Sequence, residues 1–346
     1  MSTLPSYSRR LALGLALGGL GLTAAGCVKG ESSGAAAGSS ATASASGSAG
    51  GAGGTVRLDY ALYNPLSLVV REQKILENAG LTVQWEQSLG SNKANEFLRN
   101  DNLDLASTAG SAVLQARTNG SPVKTVDVYS QPEWTALVVA KDSTVTDVAG
   151  LRGKRIAATT GTDPYFFLQQ ALAEAGLSAT DVEITNLQHA DGRAALERGD
   201  VDAWAGLDPN MAATELQSGS KLLYRNVDFC TYGLLNARES FIESSPELVQ
   251  QVVDAYATAR AWALANPAEL ATLYAAQAQL TPEVAARVLE RTTLDVDSVP
   301  GEAQRSVLEG IVPLMASTGD IPSAEAATEA LDGLLVAEFA EKATPA

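Results

Sequence analysis

Three short segments carry the residue types that hold an anion without a cation: Thr108-Ala109-Gly110-Ser111, Gly161-Thr162-Asp163-Pro164 and Leu207-Asp208-Pro209. Each stands where an apolar, strand-like run gives way to a helix-like one. A helix start exposes N–H groups at the positive end of its dipole, and these favour sulfonate, phosphate or carboxylate oxygens. Asp163-Pro164 and Asp208-Pro209 join an acid suited to capping with a proline suited to the first turn. The two carboxylates therefore either cap their own helices or face a ligand, while the backbone at 108–111 and 161–162 is expected to line the site. Tyr63 and Asn64 follow the first strand and should face the same place, Asn64 as a donor and Tyr63 as an apolar wall. Lys93 opens a helix after Gly90-Ser91-Asn92 and would neutralise an anionic head, or else is solvated. Glu133 and Trp134 fall where the chain first leaves one lobe for another, so Glu133 meets a ligand amine or makes a hinge contact. His189 sits beside Asp191 ahead of a helix, as a cap or a ligand contact, and Trp204 at a strand end either lines the cleft or fills the core.

These residues need a frame, and the chain writes one twice. Leu98-Arg-Asn-Asp-Asn-Leu103-Asp104 and Leu196-Glu-Arg-Gly-Asp-Val201-Asp202 stand about 98 residues apart. Each reads as a helix end, a tight polar turn and the start of a short apolar strand. A repeated αβ unit implies two similar lobes, with ligands taken at the carboxyl ends of the strands between them. Periodicity places first-lobe strands at 55–61, 81–87, 103–107, 123–129 and 135–140, with helices at 66–79, 93–100 and 110–119. The second lobe has strands at 155–159, 182–187 and 201–205 and helices at 164–175, 192–198 and 209–217. Strands at 221–224 and 232–236 follow, and the rest is helical. Alternation of this kind predicts an α/β fold with parallel sheets. The expected division is lobe 1 at 55–137, lobe 2 at 138–228, and a return to lobe 1 at 229–346 whose late helices pack back on the first lobe.

Arg9-Arg10, an uncharged run from Leu11 to Leu22, and Ala24-Ala25-Gly26-Cys27 give the positive, apolar and small-residue regions of a secretory signal in order. The run is about half of the roughly 20 residues that span a bilayer. A signal of residues 1–27 is therefore expected, and residues 28–54, almost all Gly, Ala, Ser and Thr, form a tether that cannot bury enough apolar surface to order itself. Against 24 basic residues the chain has 40 acidic ones, a net charge of −16, and loss of Arg9 and Arg10 makes it more negative. That balance excludes nucleic acid as a partner. One His and two Cys, Cys27 and Cys230, give no support to a zinc site or a Cys-His nucleophile. No calcium-loop spacing and no Gly-x-Gly-x-x-Gly after a strand occurs, so neither a metal nor a cofactor is expected, and an enzyme reading starts low.

Asp147-Val-Ala-Gly-Leu-Arg-Gly-Lys-Arg-Ile156, Gly161-Thr-Asp-Pro164, Ala195-Leu-Glu-Arg-Gly-Asp-Val-Asp-Ala-Trp204 and Asp208-Pro209 together resemble the second lobe of substrate-binding proteins from ABC importers of the nitrate, sulfonate and taurine group. Gly90-Ser-Asn-Lys-Ala94, Ser107-Thr-Ala-Gly110 and Gln131-Pro-Glu-Trp134 are similar to first-lobe and crossover segments of the aliphatic-sulfonate-binding type. The resemblance runs from about Val56 to Arg291. It implies a type II periplasmic-binding-protein fold that closes on a small organic anion and presents it to ABC permease transmembrane subunits. Some members bind nitrate, bicarbonate, aromatic acids or thiamine precursors instead. Pyrimidine-precursor synthases resemble the family too, but carry a His and Cys-rich motif that this chain lacks; a tethered sensor without transport is the other alternative. Cys27 resembles the lipidated cysteine of a bacterial lipobox, although Ala24 stands where leucine is usual, and this implies an extracytoplasmic protein held to the membrane by a lipid anchor.

Overall fold

In the computed structural model, residues 53–345 are described; the signal at 1–27, Cys27 and nearly all of the tether at 28–54 lie outside them. Alternating apolar residues make β1 (Thr55–Tyr60), and Pro65 at its first turn suits the start of α1 (Pro65–Glu72). The chain continues through α2 (Ile75–Asn78), β2 (Thr82–Gln87), α3 (Ser91–Arg99), β3 (Leu105–Ala109), α4 (Gly110–Thr118) and β4 (Val123–Pro132). Lobe 2 is β5 (Thr135–Val139), β6 (Arg155–Ala158), α5 (Asp163–Glu174), β7 (Glu183–Asn186), α6 (His189–Arg198), β8 (Ala203–Leu207), α7 (Asn210–Ser218) and β9 (Lys221–Tyr224). The return comprises β10 (Gly233–Arg238), α8 (Glu239–Ser244), α9 (Pro246–Ala265), α10 (Pro267–Gln277), α11 (Pro282–Glu290), β11 (Thr292–Thr293), α12 (Glu302–Thr318), α13 (Ala324–Asp332) and α14 (Glu338–Glu341).

Two sheets result, ordered β11-β4-β10-β3-β1-β2 and β7-β6-β8-β5-β9. The expectation of parallel sheets is corrected. Only β1 with β2 and β3, and β6 with β7 and β8, run parallel. β10 is antiparallel to β3 and β4, and β5 to β8 and β9. Both strands enter their sheet directly from the other lobe, with no helical crossover to set a parallel direction. The crossing itself falls at Glu133 and Trp134, between β4 and β5, so the 137/138 division lies inside β5.

The sequence repeat has a structural counterpart. Asp104 accepts from the backbone N–H of Arg57 at 2.8 Å and from its guanidinium, and Asp202 accepts from Arg155 at 2.9 Å in the same way. Each acid pins the first turn of its motif to the strand 47 positions earlier. Because Asp104 is committed to that contact, β3 starts at Leu105 rather than 103. The helix expected at 66–79 is likewise two, since Lys74 turns the chain in the left-handed region, φ 54°, and brings Leu76 into the core.

Late helices pack on lobe 1 as expected. On α9, Val249, Val252, Val253, Tyr256, Ala259 and Ala263 form the buried stripe of an amphipathic helix. Arg260 on the same helix donates to the carbonyls of Val128 and Leu294 at 2.7 and 2.9 Å and pairs with Asp127, tying the helix to β4. One helix departs from this pattern: Arg287 on α11 and Arg291 just after it reach Glu215 on α7 of lobe 2.

Candidate ligand site between the lobes

The loops after β1, β2 and β3 of lobe 1 and after β6, β7 and β8 of lobe 2 converge where the lobes meet. The lobes are in contact there: α5 places Phe166 among Val113, Leu114 and Leu308 of lobe 1. A Cβ built on Gly161 would stand 3.4 Å from Gln115 Oε1 and 3.7 Å from Asn92 Cβ across the junction. With φ at +75°, position 161 requires glycine for backbone reasons as well as for space.

The lobe 1 floor is a buried hydrogen-bond network. Asn64 caps α1 by accepting from Ser67 N–H, and its amide donates to Ser107 Oγ at 2.8 Å and Tyr256 Oη at 3.2 Å. Ser107 in turn donates through N–H and Oγ to Asp59 Oδ1 at 2.8 and 3.1 Å. Burial pushes the Asp59 carboxyl up to about 7 in spite of those donors. Tyr63 Oη donates to Ser107 O at 2.9 Å, and its ring meets Trp134 edge to face at 5.9 Å. Both residues are buried, so Tyr63 and Asn64 form the support of the junction rather than an open wall.

The α4 start faces inward. Ala109 N–H donates to Ser91 Oγ, Gly110 N–H to Tyr232 O and Ser111 N–H to Thr231 Oγ1, at 2.9, 3.1 and 2.9 Å. Thr108 Oγ1 accepts from Asn236 inside the sheet. The backbone expected to line a site at 108–111 therefore has protein partners at these N–H groups.

The anion at this helix start is the protein's own. Asp163, from lobe 2, accepts from Ser111 Oγ at 2.6 Å, Thr231 Oγ1 at 2.5 Å, Thr231 N–H at 2.9 Å and Trp134 Nε1 at 2.8 Å. It does not cap α5, whose N-cap is Thr162. The capping expectation is corrected for Asp163: its side chain turns to lobe 1 and both crossovers, where four donors outweigh one local N–H. Burial nonetheless pushes its carboxyl above the usual range, with the Ser111 and Thr231 donors pulling it back. Asp208 does act as a cap, accepting from Ala212 N–H at 2.8 Å, with Arg291 3.6 Å away. Burial pushes it up to about 7 against that guanidinium. Around Gly161 and Thr162, Thr160 N–H donates to Asn186 and Thr162 Oγ1 to Thr159 O, which shapes the loop that opens α5.

Glu133 makes the hinge contact, a bidentate pair with Arg225 on the second crossover at 2.7 Å for both bonds. Lys93 lies at the surface, paired with Glu96. Trp204 fills the lobe 2 core with Leu196, Val201 and Met211, and a Cβ on Gly192 would stand 2.6 Å from its Nε1. His189 is buried beside Thr159, with Nδ1 3.1 Å from the hydroxyl, and burial pushes its imidazole down to about 3. Asp59, Ser91, Asn92, Ser107, Thr231 and Tyr256 are partners that sequence reasoning missed. An acid inside the apolar run Leu58-Asp59-Tyr60 was a readable signal; Tyr256, 192 positions from Asn64, had none. Among the described residues, no cluster of three or more His, Cys, Asp or Glu is placed to hold a metal, and no helix is long and apolar enough to cross a membrane.

Comparisons with known proteins agree with this architecture. The chain superposes on the alkanesulfonate-binding protein SsuA from Xanthomonas axonopodis bound to MOPS, with a TM-score of 0.73 and 25% identity over 80% of this chain and 97% of that one. For the periplasmic aliphatic sulphonate-binding protein SsuA from Escherichia coli the TM-score is 0.67, with 26% identity over 78% and 94%. A protein of Escherichia coli (strain K12) provisionally named for binding aliphatic sulfonates is 32% identical over 181 residues. That match spans 52% of this chain and 57% of the relative's length. Residues 69–270 match the family described as NMT1/THI5 like; the chain belongs to that family and has the periplasmic-binding-protein fold.

Proposed function

We propose that this protein is the extracytoplasmic substrate-binding component of an ABC importer, capturing a small organic anion such as an aliphatic sulfonate and passing it to the permease. The observation that carries this reading is the α5 start. Gly161 opens a helix of lobe 2 directly against Asn92 and Gln115 of lobe 1, so a ligand held at that helix start touches both lobes and gains its full binding energy only when they close. The relatives and structural neighbours named for sulfonates supply the ligand class. Binding without turnover is the expected behaviour, with affinity on the order of micromolar, about −8 kcal/mol. Calorimetry of the purified protein against alkanesulfonates, taurine, nitrate and aromatic acids tests it. A saturable heat with a sulfonate, recovered unchanged, supports the reading; flat heats for every sulfonate alongside binding of another class refute it. The membrane anchor is part of the same proposal, and Cys27→Ser should move the protein from the membrane to the soluble fraction.

A further inference from the structure

Resting on the anion reading above, we propose that Asn92 and His189 form a receptor for a hydrogen-bond donor on the ligand, an amino or hydroxyl group, across from the helix start that takes its anionic head.

The tautomer of His189 follows from its neighbour. Thr159 Oγ1 has one hydrogen, and it goes to Leu187 O at 2.7 Å. The contact between Thr159 Oγ1 and His189 Nδ1 at 3.1 Å then has Nδ1 as the donor, which leaves Nε2 with a lone pair and no hydrogen. His189 is 2% exposed, and Nε2 has no hydrogen-bond partner among the described residues. Asn92 Oδ1, on the facing lobe, is a buried acceptor in the same situation. Both atoms stand on one side of Gly90: a Cβ there would be 2.8 Å from Asn92 Oδ1 and 2.9 Å from His189 Nε2. The φ of Gly90 is 164°, an extended backbone that any residue adopts, so glycine is needed at this position for space and not for conformation. Each buried acceptor lacks the donor that burial requires, and both lie within 3 Å of one position beside Gly90, so a single donor seated there can serve either of them. The imidazole, pushed down to about 3 by burial, stays neutral and cannot serve as that donor. A ligand N–H or O–H can.

The chain has one histidine, so nitrogen-15 spectra of the full-length protein report this ring alone. The free protein should show the proton on Nδ1. Adding 2-aminoethanesulfonate or 2-hydroxyethanesulfonate should shift Nε2, and ethanesulfonate should not; the first two separate amine from hydroxyl. By calorimetry the better donor-bearing ligand should bind about 10- to 100-fold more tightly than ethanesulfonate. Asn92→Leu and Gly90→Ala, checked for unchanged melting, should collapse that ratio to within about threefold. A proton on Nε2 in the free protein, or equal affinity for all three ligands, overturns the receptor and leaves the anion reading standing. If no sulfonate binds, the anion reading fails instead, and the tautomer still decides for or against the receptor.

Discussion

Removing the Asp163 carboxylate is the sharpest perturbation the junction offers. Asp163→Ala strips the acceptor from four donors at once. Ser111 Oγ and Thr231 Oγ1 are hydroxyls and can rotate to other acceptors. Trp134 Nε1 and Thr231 N–H cannot, and each buried orphan costs about 1–3 kcal/mol, so the alanine variant should lose about 2–6 kcal/mol. Asp163→Asn is a different case. One amide oxygen can keep both N–H donors while the NH2 faces the two hydroxyls, which turn to accept. It loses charge assistance but also the cost of burying a charge, the cost that already raises this carboxyl. The asparagine variant should therefore lose less than half as much as the alanine. Urea unfolding reads the difference as a lower midpoint at constant slope, and at about 2 °C per kcal/mol for a body of this size the alanine melt should fall about 4–12 °C. An alanine variant within 1 kcal/mol of the parent, or an asparagine as damaging as the alanine, would refute the four-donor account.

Asp59→Asn tests the buried carboxyl beneath the site: the shift from 3.8 to about 7 makes its contribution complete below pH 4 and lost as pH rises through 7, so relative to the parent the variant should gain at most about 4 kcal/mol between pH 4 and pH 8 in urea titrations. Trp134 donates to Asp163 at the junction whereas Trp204 is sealed in the lobe 2 core, so ligand-dependent tryptophan fluorescence should disappear in Trp134→Phe alone; a full signal in that variant would move the reporter elsewhere. Gly161→Val places a β-branched side chain at φ +75° and against Gln115, and should weaken sulfonate binding at least tenfold by calorimetry; parent-like affinity would remove the α5 start from the site.

What the sequence disclosed was local. The repeat around Asp104 and Asp202 was readable because the turn, the acid and the following strand are contiguous, and the Arg57 and Arg155 contacts carry out what that spacing implies. Gly161 to Pro164 was readable as a helix start for the same reason. The destination of the Asp163 side chain was not, since its partners Ser111 and Thr231 lie 52 and 68 positions away. A carboxylate beside a proline looks the same in sequence whether it caps, as Asp208 does, or crosses to another lobe. Trp204 shows the same limit in apolar form. The strand pattern left it either lining the cleft or filling the core, and the packing of Gly192 and Gly206 against the indole, with Leu196, Val201 and Met211 around it, decides for the core. Strand direction was missed at β5 and β10 because periodicity carries no sign, and a strand that enters from another lobe escapes the helix-crossover rule.

Charge decides how such a site can select an anion. The chain carries −16, and the arginines that link the two lobes are paired with acids: Arg225 with Glu133, and Arg287 and Arg291 with Glu215. Lys93 is paired at the surface. A cation-based site would attract every anion in proportion to its charge, phosphate above sulfonate. A site of N–H and O–H donors gains no such long-range pull, and at physiological salt the repulsion of the acidic surface is screened beyond about 8 Å. What is left, on the proposed reading, is short-range and geometric: dipole and donors at the α5 start for a singly charged head, and acceptors at Asn92 and His189 for a donor tail. The α5 start belongs to lobe 2 alone, while Asn92 and His189 come from different lobes. On this proposal the donor receptor is complete only when the lobes meet, and a ligand lacking a donor tail closes the protein less completely. Discrimination among small anions of equal charge is then carried by the closing equilibrium itself rather than by the strength of one contact.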